Sequence, residues 1–225
     1  MSSEKAFLAL RLEGPLQSWG FDSQYNRRNT GLMPTKSAIA GMCCAALGYA
    51  RGSDDEKTFL ARLNAVRMTA IAIPRKWTKK EFPVRRLQDY HTVKDTKTAD
   101  GKVKDCHITY RQYLTDASFG VLLEGPSSFL RPIAEALQDP VWGVWLGRKT
   151  CIPTAPVLAG VKDDRQEALH LLIGDSPLES FTRQEEVANF TEGRDSLPDT
   201  PVSFASERRL FSPRRVQTRP GAKRR

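Results

Sequence analysis

Between the apolar segments VRMTAIAIP (66–74) and DASFGVLLEG (116–125), the chain runs from Arg75 to Thr115 with almost nothing suited to a core. That stretch is polar, basic and aromatic, and at its centre stands KTADGKV (97–103), with the Asp-Gly pair that favours a tight hairpin turn. Its β-branched and aromatic flanks suit paired strands better than a disordered loop. The pattern predicts a long β-hairpin, about residues 75–115, projecting from a domain whose core is built by the sequence on either side of it.

That core reads as a short series of elements. Alternation predicts a first strand over Phe7 to Leu12, ended by Gly14-Pro15. Thr35 is a suitable N-cap, and KSAIAGMCCAAL continues as a helix until Gly48 stops it. So many small side chains imply close packing on a sheet. DDEKTFLARLN (54–64) has the spacing of a short amphipathic helix, and SSFLRPIAEALQD (127–139) holds a further helix after a serine cap. With the two apolar segments as strands and a fourth strand soon after WGVWLGRKTC (142–151), the order becomes βαββαβ. This is an α+β arrangement, a ferredoxin-like, RRM-type domain over residues 1–160. Two helices on such a sheet would leave its other face free. Residues 161–206 are acidic and punctuated by Pro and Gly, which predicts a smaller C-terminal β region of hairpins. The segment ERRLFSPRRVQTRPGAKRR (207–225) reads as a flexible basic arm.

The net charge of +9 favours a polyanionic partner, because neutralised phosphates release counterions. A glycine loop followed by Thr-Lys-Ser at a helix start first suggests a nucleotide. A Walker loop, however, needs glycine where Thr35 and Thr30 stand, so its amides cannot wrap the phosphates. A dinucleotide fingerprint fails too: Gly14 and Gly20 are too far apart, and the second strand ends IAIPRK without an acid. What remains is a helix N-terminus with free amides and a positive dipole, Lys36 and Ser37 upon it, and Arg27, Arg28 and Asn29 in the loop before. Such a set grips a sugar–phosphate backbone without hydrolysing it. Trp19 is either a stacking face or a core residue. Two further basic or basic-aromatic sets lie at Arg85, Arg86, Tyr90, His91, Lys94, Tyr110, Arg111 and Tyr113, and at Arg148-Lys149. In a basic, RRM-like frame, three such sets make RNA the favoured ligand.

The segments LRLEGPLQSWG, MPTKSAIAGM, LQDYHTV, YRQYLTDASF, WLGRKTCIPTAPVLAG and PVSFASER occur in that order. Together they resemble the CasD family (the Cas-five proteins) of CRISPR–Cas systems, most closely the type I-E form, with its RAMP fold. The resemblance implies a non-catalytic subunit of Cascade, the crRNA-guided complex of antiviral defence, working without metal or cofactor. It implies capping of the crRNA 5′ handle and a thumb hairpin that reaches over the guide and packs on the neighbouring Cascade backbone subunit. The Cascade large subunit would dock nearby, with target DNA met through the complex. By position, the handle-binding set would be Gln17, Trp19, Arg27, Arg28, Asn29, Lys36, Ser37, His91, Arg111, Tyr113, Arg148 and Lys149. Within it, phosphate contacts fall to Arg27, Lys36, Arg111 and Arg148, and stacking or sugar contact to Trp19 and Tyr113. The arginines after Ser212 depart from the family pattern.

The competing reading is an enzyme, since a related type I-C protein cleaves precursor crRNA. Metal-independent cleavage needs a base for the 2′-hydroxyl and a cation for the phosphorane, roles open to His91, His107, Tyr110 and Lys94. The LGRKTC and DYHTV motifs favour the type I-E reading, in which a separate endonuclease cuts. Cys43, Cys44, Cys106 and Cys151 form no CxxC pair, and Cys106-His107 lacks zinc spacing, so neither disulfides nor a metal site is expected. MSSEKAFLALRLEG has no apolar run long enough for a signal peptide or span, which predicts a cytoplasmic protein off the membrane.

Overall fold

The computed structural model describes residues 4–20, 22–23, 26–77, 80–82, 84–98, 100–189, 191–193 and 195–222. The elements, in chain order, begin with β1 (Lys5–Glu13), the two-residue strands β2 (Leu16–Gln17) and β3 (Arg27–Arg28), and helices α1 (Lys36–Leu47) and α2 (Asp54–Asn64). Then come β4 (Arg67–Ala72), the short pair β5 (Arg75–Trp77) and β6 (Lys80–Phe82), the long β7 (Arg85–Lys97) and β8 (Val103–Thr115), β9 (Ser118–Pro126) and α3 (Ser127–Gln138). The chain closes with β10 (Leu158–Lys162), α4 (Arg165–Ile173), β11 (Arg183–Glu186), β12 (Asp195–Ser203) and β13 (Leu210–Arg219).

Local chemistry sets the helix ends. The Thr35 side chain caps α1 by accepting from the Ala38 N–H, and Gly48 ends it at φ +74°. In α2, the N-cap Ser53 Oγ accepts from Glu56 N at 3.1 Å, while Glu56 Oε2 reaches back to accept from the N–H of Gly52, the residue before the cap, at 3.0 Å. The main sheet runs β10-β1-β9-β4-β11-β13-β12. Its first four strands are the fourth, first, third and second of the βαββαβ unit, the ferredoxin-like order. Alternation along β1 sends Leu8, Leu10 and Leu12 into one core, which α1 and α3 share through Ile39, Met42, Leu130 and Ile133.

Phe7 and Ala9 point the other way, and that face is not free. Helix α4 lies on it, with Ala168, Leu169 and Leu172 packed against Phe7, Ile71 and Leu122. The fit is close: a Cβ added to Gly120 would stand 3.1 Å from Leu172 Cδ1. The hairpins expected over 161–206 are therefore replaced in part by a helix, capped where Asp164 Oδ1 accepts from the Gln166 and Glu167 amides at 2.8 and 3.0 Å.

The C-terminal strands correct two further expectations. They form no separate region, because β11 pairs antiparallel with β4 and continues the same sheet. Nor is the basic segment a loose arm: β13 lies between β11 and β12. Two of its arginines, Arg214 and Arg219, are neutralised by carboxylates distant in sequence. Arg214 Nε and Nη2 reach the two oxygens of buried Asp199 at 2.7 and 2.9 Å, and Arg219 Nε meets Glu185 at 2.8 Å. The edge strand β12 carries Pro198 and Pro201, which limit further pairing there.

The β7–β8 pair runs in continuous antiparallel pairing from Arg85↔Thr115 to Lys97↔Val103, with a single irregularity at Asp95. Gly101, at φ +80°, turns the tip. Among the described residues, the base is the part paired with further strands. There β8 also pairs with β2 and β3, and Tyr113 and Leu114 are buried, whereas Val103 and Ile108 are exposed.

Candidate nucleic-acid interface

The hairpin base is where several of the singled-out residues meet. Register sets their faces, since directly paired residues share a side of the sheet. Tyr90 pairs with Tyr110, and Tyr110 with Arg27 across the parallel β3–β8 contact. On that face the two rings meet edge to face at 5.4 Å, and the Arg27 guanidinium sits 5.7 Å from the Tyr110 ring centre. The other face carries Arg28, Arg111, His91 and Tyr113. Arg111 Nε donates to Thr109 Oγ1 at 3.2 Å, and His91 Nδ1 lies 3.6 Å from Asp89 Oδ2.

Arg148 locks this junction. Its Nη1 donates to the Gln112 carbonyl at 2.8 Å and its Nη2 to the Arg28 carbonyl at 2.6 Å. The guanidinium also lies 4.6 Å from the Tyr113 ring centre. The expected phosphate contact at Arg148 is thus joined by a second duty, a fork that ties the 146–151 loop to β8 and β3. Lysine cannot reproduce a planar fork. Arg148→Lys is expected to behave like Arg148→Ala, with faster amide exchange at Tyr110, whose N–H donates to Asn26 O at 2.8 Å. Loss of two charge-assisted bonds should cost about 1–3 kcal/mol; slow exchange kept in the lysine variant would refute the fork.

Four other expectations are corrected by burial. Trp19 is a core residue, fully buried and edge-on to Phe119 at 6.3 Å, so it offers no stacking face. Tyr113 is buried beneath Arg148. Gln17 is buried too, its Nε2 donating to Leu12 O at 3.0 Å and Ala117 O at 2.7 Å to pin the bend after β1. Lys36 is 1% exposed. Its Nζ donates to both Glu186 oxygens at 2.8 and 3.0 Å, to Val66 O at 2.8 Å and to Asn64 O at 3.2 Å. Burial lowers the pKa of this ammonium, and the Glu186 carboxylate opposes that shift. The helix N-terminus is also taken, since the Lys36 N–H donates to Asp199 Oδ2 at 2.9 Å. No ligand phosphate is needed at the α1 start, because the chain supplies its own anion there.

Beside the junction runs a groove of about 700 Å³ between α1, the 142–149 loop and the start of β13. Arg28, Asn29, Ser37, Arg148 and Lys149 line it, five of the twelve predicted residues. Asn29 Nδ2 donates to Asp22 at 3.4 Å, and Ser37 Oγ meets Thr35 Oγ1 at 3.3 Å. The groove also brings in Arg51, Arg209, Trp142 and Trp145, which the sequence reading did not single out. The one signal for the two tryptophans was the run VWGVW, a residue ahead of the Gly-Arg-Lys turn. Glu56, also in the lining, is buried and accepts from Gly52 N and Phe204 N.

The groups considered for RNA cleavage do not share a surface. His91 and His107 lie on one face of the hairpin, and Tyr110 and Lys94 on the other. Cys106 is exposed on β8, while Cys43, Cys44 and Cys151 are buried. Burial pushes the Cys44 thiol up to about 12. Among the described residues, no helix is long and apolar enough to cross a membrane.

Comparison with known proteins follows the same outline. A family model described as CRISPR-associated protein (Cas5) matches residues 7–217. The chain is 32% identical over 214 residues to the CRISPR system Cascade subunit CasD of Escherichia coli (strain K12), covering 90% of this chain and 93% of that protein. Among solved structures, it is similar to a chain of a CRISPR RNA-guided surveillance complex, with TM-score 0.76 and 29% identity over 96% of this chain and 90% of that one. A crystal structure of a Cas protein is similar at TM-score 0.66 and 30% identity, over 96% and 95% of the two chains.

Proposed function

The chain belongs to the Cas5 family of CRISPR-associated proteins, and from that membership we propose that it is a crRNA-binding subunit of a type I-E Cascade complex. It caps the crRNA 5′ handle in antiviral defence and cuts nothing. The observation that carries the reading is the groove, where Arg28, Arg51, Arg148, Lys149 and Arg209 converge beside the hairpin base. Five cations in one trough suit a phosphate backbone, and the trough lies away from the sheet face that α4 covers. The work of such a subunit is cytoplasmic.

The test is binding of a labelled 5′-handle RNA together with incubation on precursor repeat RNA in EDTA. The expected outcome is binding without cleavage. Specific cleavage lost on His91→Ala or His107→Ala would replace capping by the endoribonuclease reading. Phosphate contacts by Arg51 and Arg209 should each contribute about 1–2 kcal/mol. Each alanine variant should lower the slope of log K against log salt by about 0.7 on single-stranded RNA. Arg219→Ala is the control, because that arginine is paired with Glu185 outside the groove.

The hairpin beyond its base belongs to assembly in this reading, reaching the guide and the neighbouring backbone subunit, with the large subunit and target DNA close by. Replacing residues 94–105 by a short Gly-Ser turn removes positions that, among the described residues, are exposed apart from the half-buried Thr96, so thermal unfolding should stay within about 2 °C, as expected for a change under ~0.5 kcal/mol. Incorporation into Cascade should fall. A large drop in melting temperature, or normal incorporation, would contradict this division of labour.

A further inference from the structure

Trp142 and Trp145 are 47% and 36% exposed, high for indoles. Neither is on a loose loop. The Val141 and Trp142 amides donate to the last carbonyls of α1, Ala46 O at 3.0 Å and Ala45 O at 3.1 Å. Leu146 is fully buried and its amide donates to Cys151 O at 2.8 Å. A Cβ on Gly143 would stand 2.8 Å from the Trp145 ring, so that ring lies directly against the Gly143 backbone. The Trp142 backbone and the Trp145 ring are thus fixed in place, and both indoles line the groove.

Their neighbours identify the ligand chemistry. The groove lining carries Arg28, Arg51, Arg148, Lys149 and Arg209 against the carboxylate of Glu56, which is already bonded to two backbone amides. An occupant must combine repeated negative charge with flat apolar faces. An unpaired nucleic-acid strand has both, and aromatic side chains beside a cationic track are the usual means of holding one without regard to sequence. Building on the RNA-binding reading above, we propose that Trp142 and Trp145 are a stacking platform for unpaired bases of the bound RNA. They replace the platform expected at Trp19 and Tyr113, which are buried.

The experiment compares two probes on the full-length chain: a short unstructured RNA, and the same sugar–phosphate backbone made with abasic sites. Trp142→Ala and Trp145→Ala should each weaken binding of the ordinary RNA by about 5- to 150-fold. Both variants should bind the abasic RNA as the unaltered protein does, with the salt slope unchanged because no phosphate contact is removed. Trp142→Phe, which keeps a ring, should stay within a few-fold on ordinary RNA. Equal losses on both probes, or no loss on either, would overturn the platform while leaving RNA binding intact. Alanine variants that bind RNA normally yet fail to enter the assembled complex would make this a protein-docking surface and overturn it likewise. Failure of the unaltered protein to bind either probe would remove the RNA-binding reading itself, and the platform with it.

Discussion

Asp199→Ala should lower the stability of the protein by about 3–5 kcal/mol, the usual cost of leaving a buried charge without its partner. Asp199 is 1% exposed and accepts three hydrogen bonds: two from Arg214, at 2.7 and 2.9 Å, and one from the Lys36 backbone N–H at 2.9 Å. Alanine would strand a guanidinium that is 4% exposed, whose remaining acidic neighbour, Glu186, lies 3.8 Å away and is engaged by Lys36. The same carboxylate joins β12, β13 and the start of α1, so its loss unfastens the C-terminal strands from the ferredoxin-like core. The β12–β13 connection carries Arg209, and β13 carries Phe211, into the groove. For a chain of this size the midpoint should fall by roughly 6–20 °C. Asp199→Asn, which keeps one acceptor, should fall between the alanine variant and the unaltered protein. A loss under 1 kcal/mol for Asp199→Ala would show that the network does not hold the two parts together.

Gly147→Ala should act on the interface itself. Gly147 sits at φ +100°, and an added Cβ would lie 1.8 Å from Ser18 O and 2.8 Å from Ser18 C. These are backbone atoms, so no side-chain rotation relieves the overlap. The 146–151 loop must move, and with it the Arg148 fork and Lys149. Strain on the order of 3 kcal/mol is expected, with at least a tenfold loss of RNA affinity. Gly101→Ala is the matched control. It also has positive φ, +80°, but meets nothing within 4 Å, so about 1 kcal/mol of backbone strain should be its whole effect. Equal behaviour of the two variants would contradict the close approach of the loop to Ser18.

Where local rules decided the outcome, the sequence was readable. Alternation placed β1, β4 and β9. Thr35, Gly48 and Ser53 marked helix ends that the structure keeps, and Asp100-Gly101 marked the hairpin tip. The misreadings come from partners far away in the chain. Lys36 follows a helix cap as a phosphate-binding lysine would, but its carboxylate partner is 150 positions on. The arginines of β13 resemble a solvated arm until Asp199, Glu185 and Glu186 are brought beside them by the β11–β13–β12 pairing. Helix α4 left a weak local signal, with Asp164 as cap and Ala168, Leu169 and Leu172 on one side. Acidic and Pro/Gly punctuation around it suggested hairpins instead. At the interface, the cations of the 27–29 loop and the Gly-Arg-Lys turn were legible as charge. Which aromatics stood free was not, because exposure depends on tertiary packing: Trp19 went into the core and Trp142 and Trp145 stayed out.

The most direct test of RNA binding at the hairpin base is photo-crosslinking of crRNA in the assembled Cascade, with the crosslinked peptides of this subunit mapped by mass spectrometry. Crosslinks are predicted in Arg27–Asn29, in β7 and β8 near Tyr90 and Tyr110, in Trp142–Lys149 and at Arg209–Phe211. Crosslinks confined to α4 and β10, or absent from the subunit altogether, would contradict the assignment.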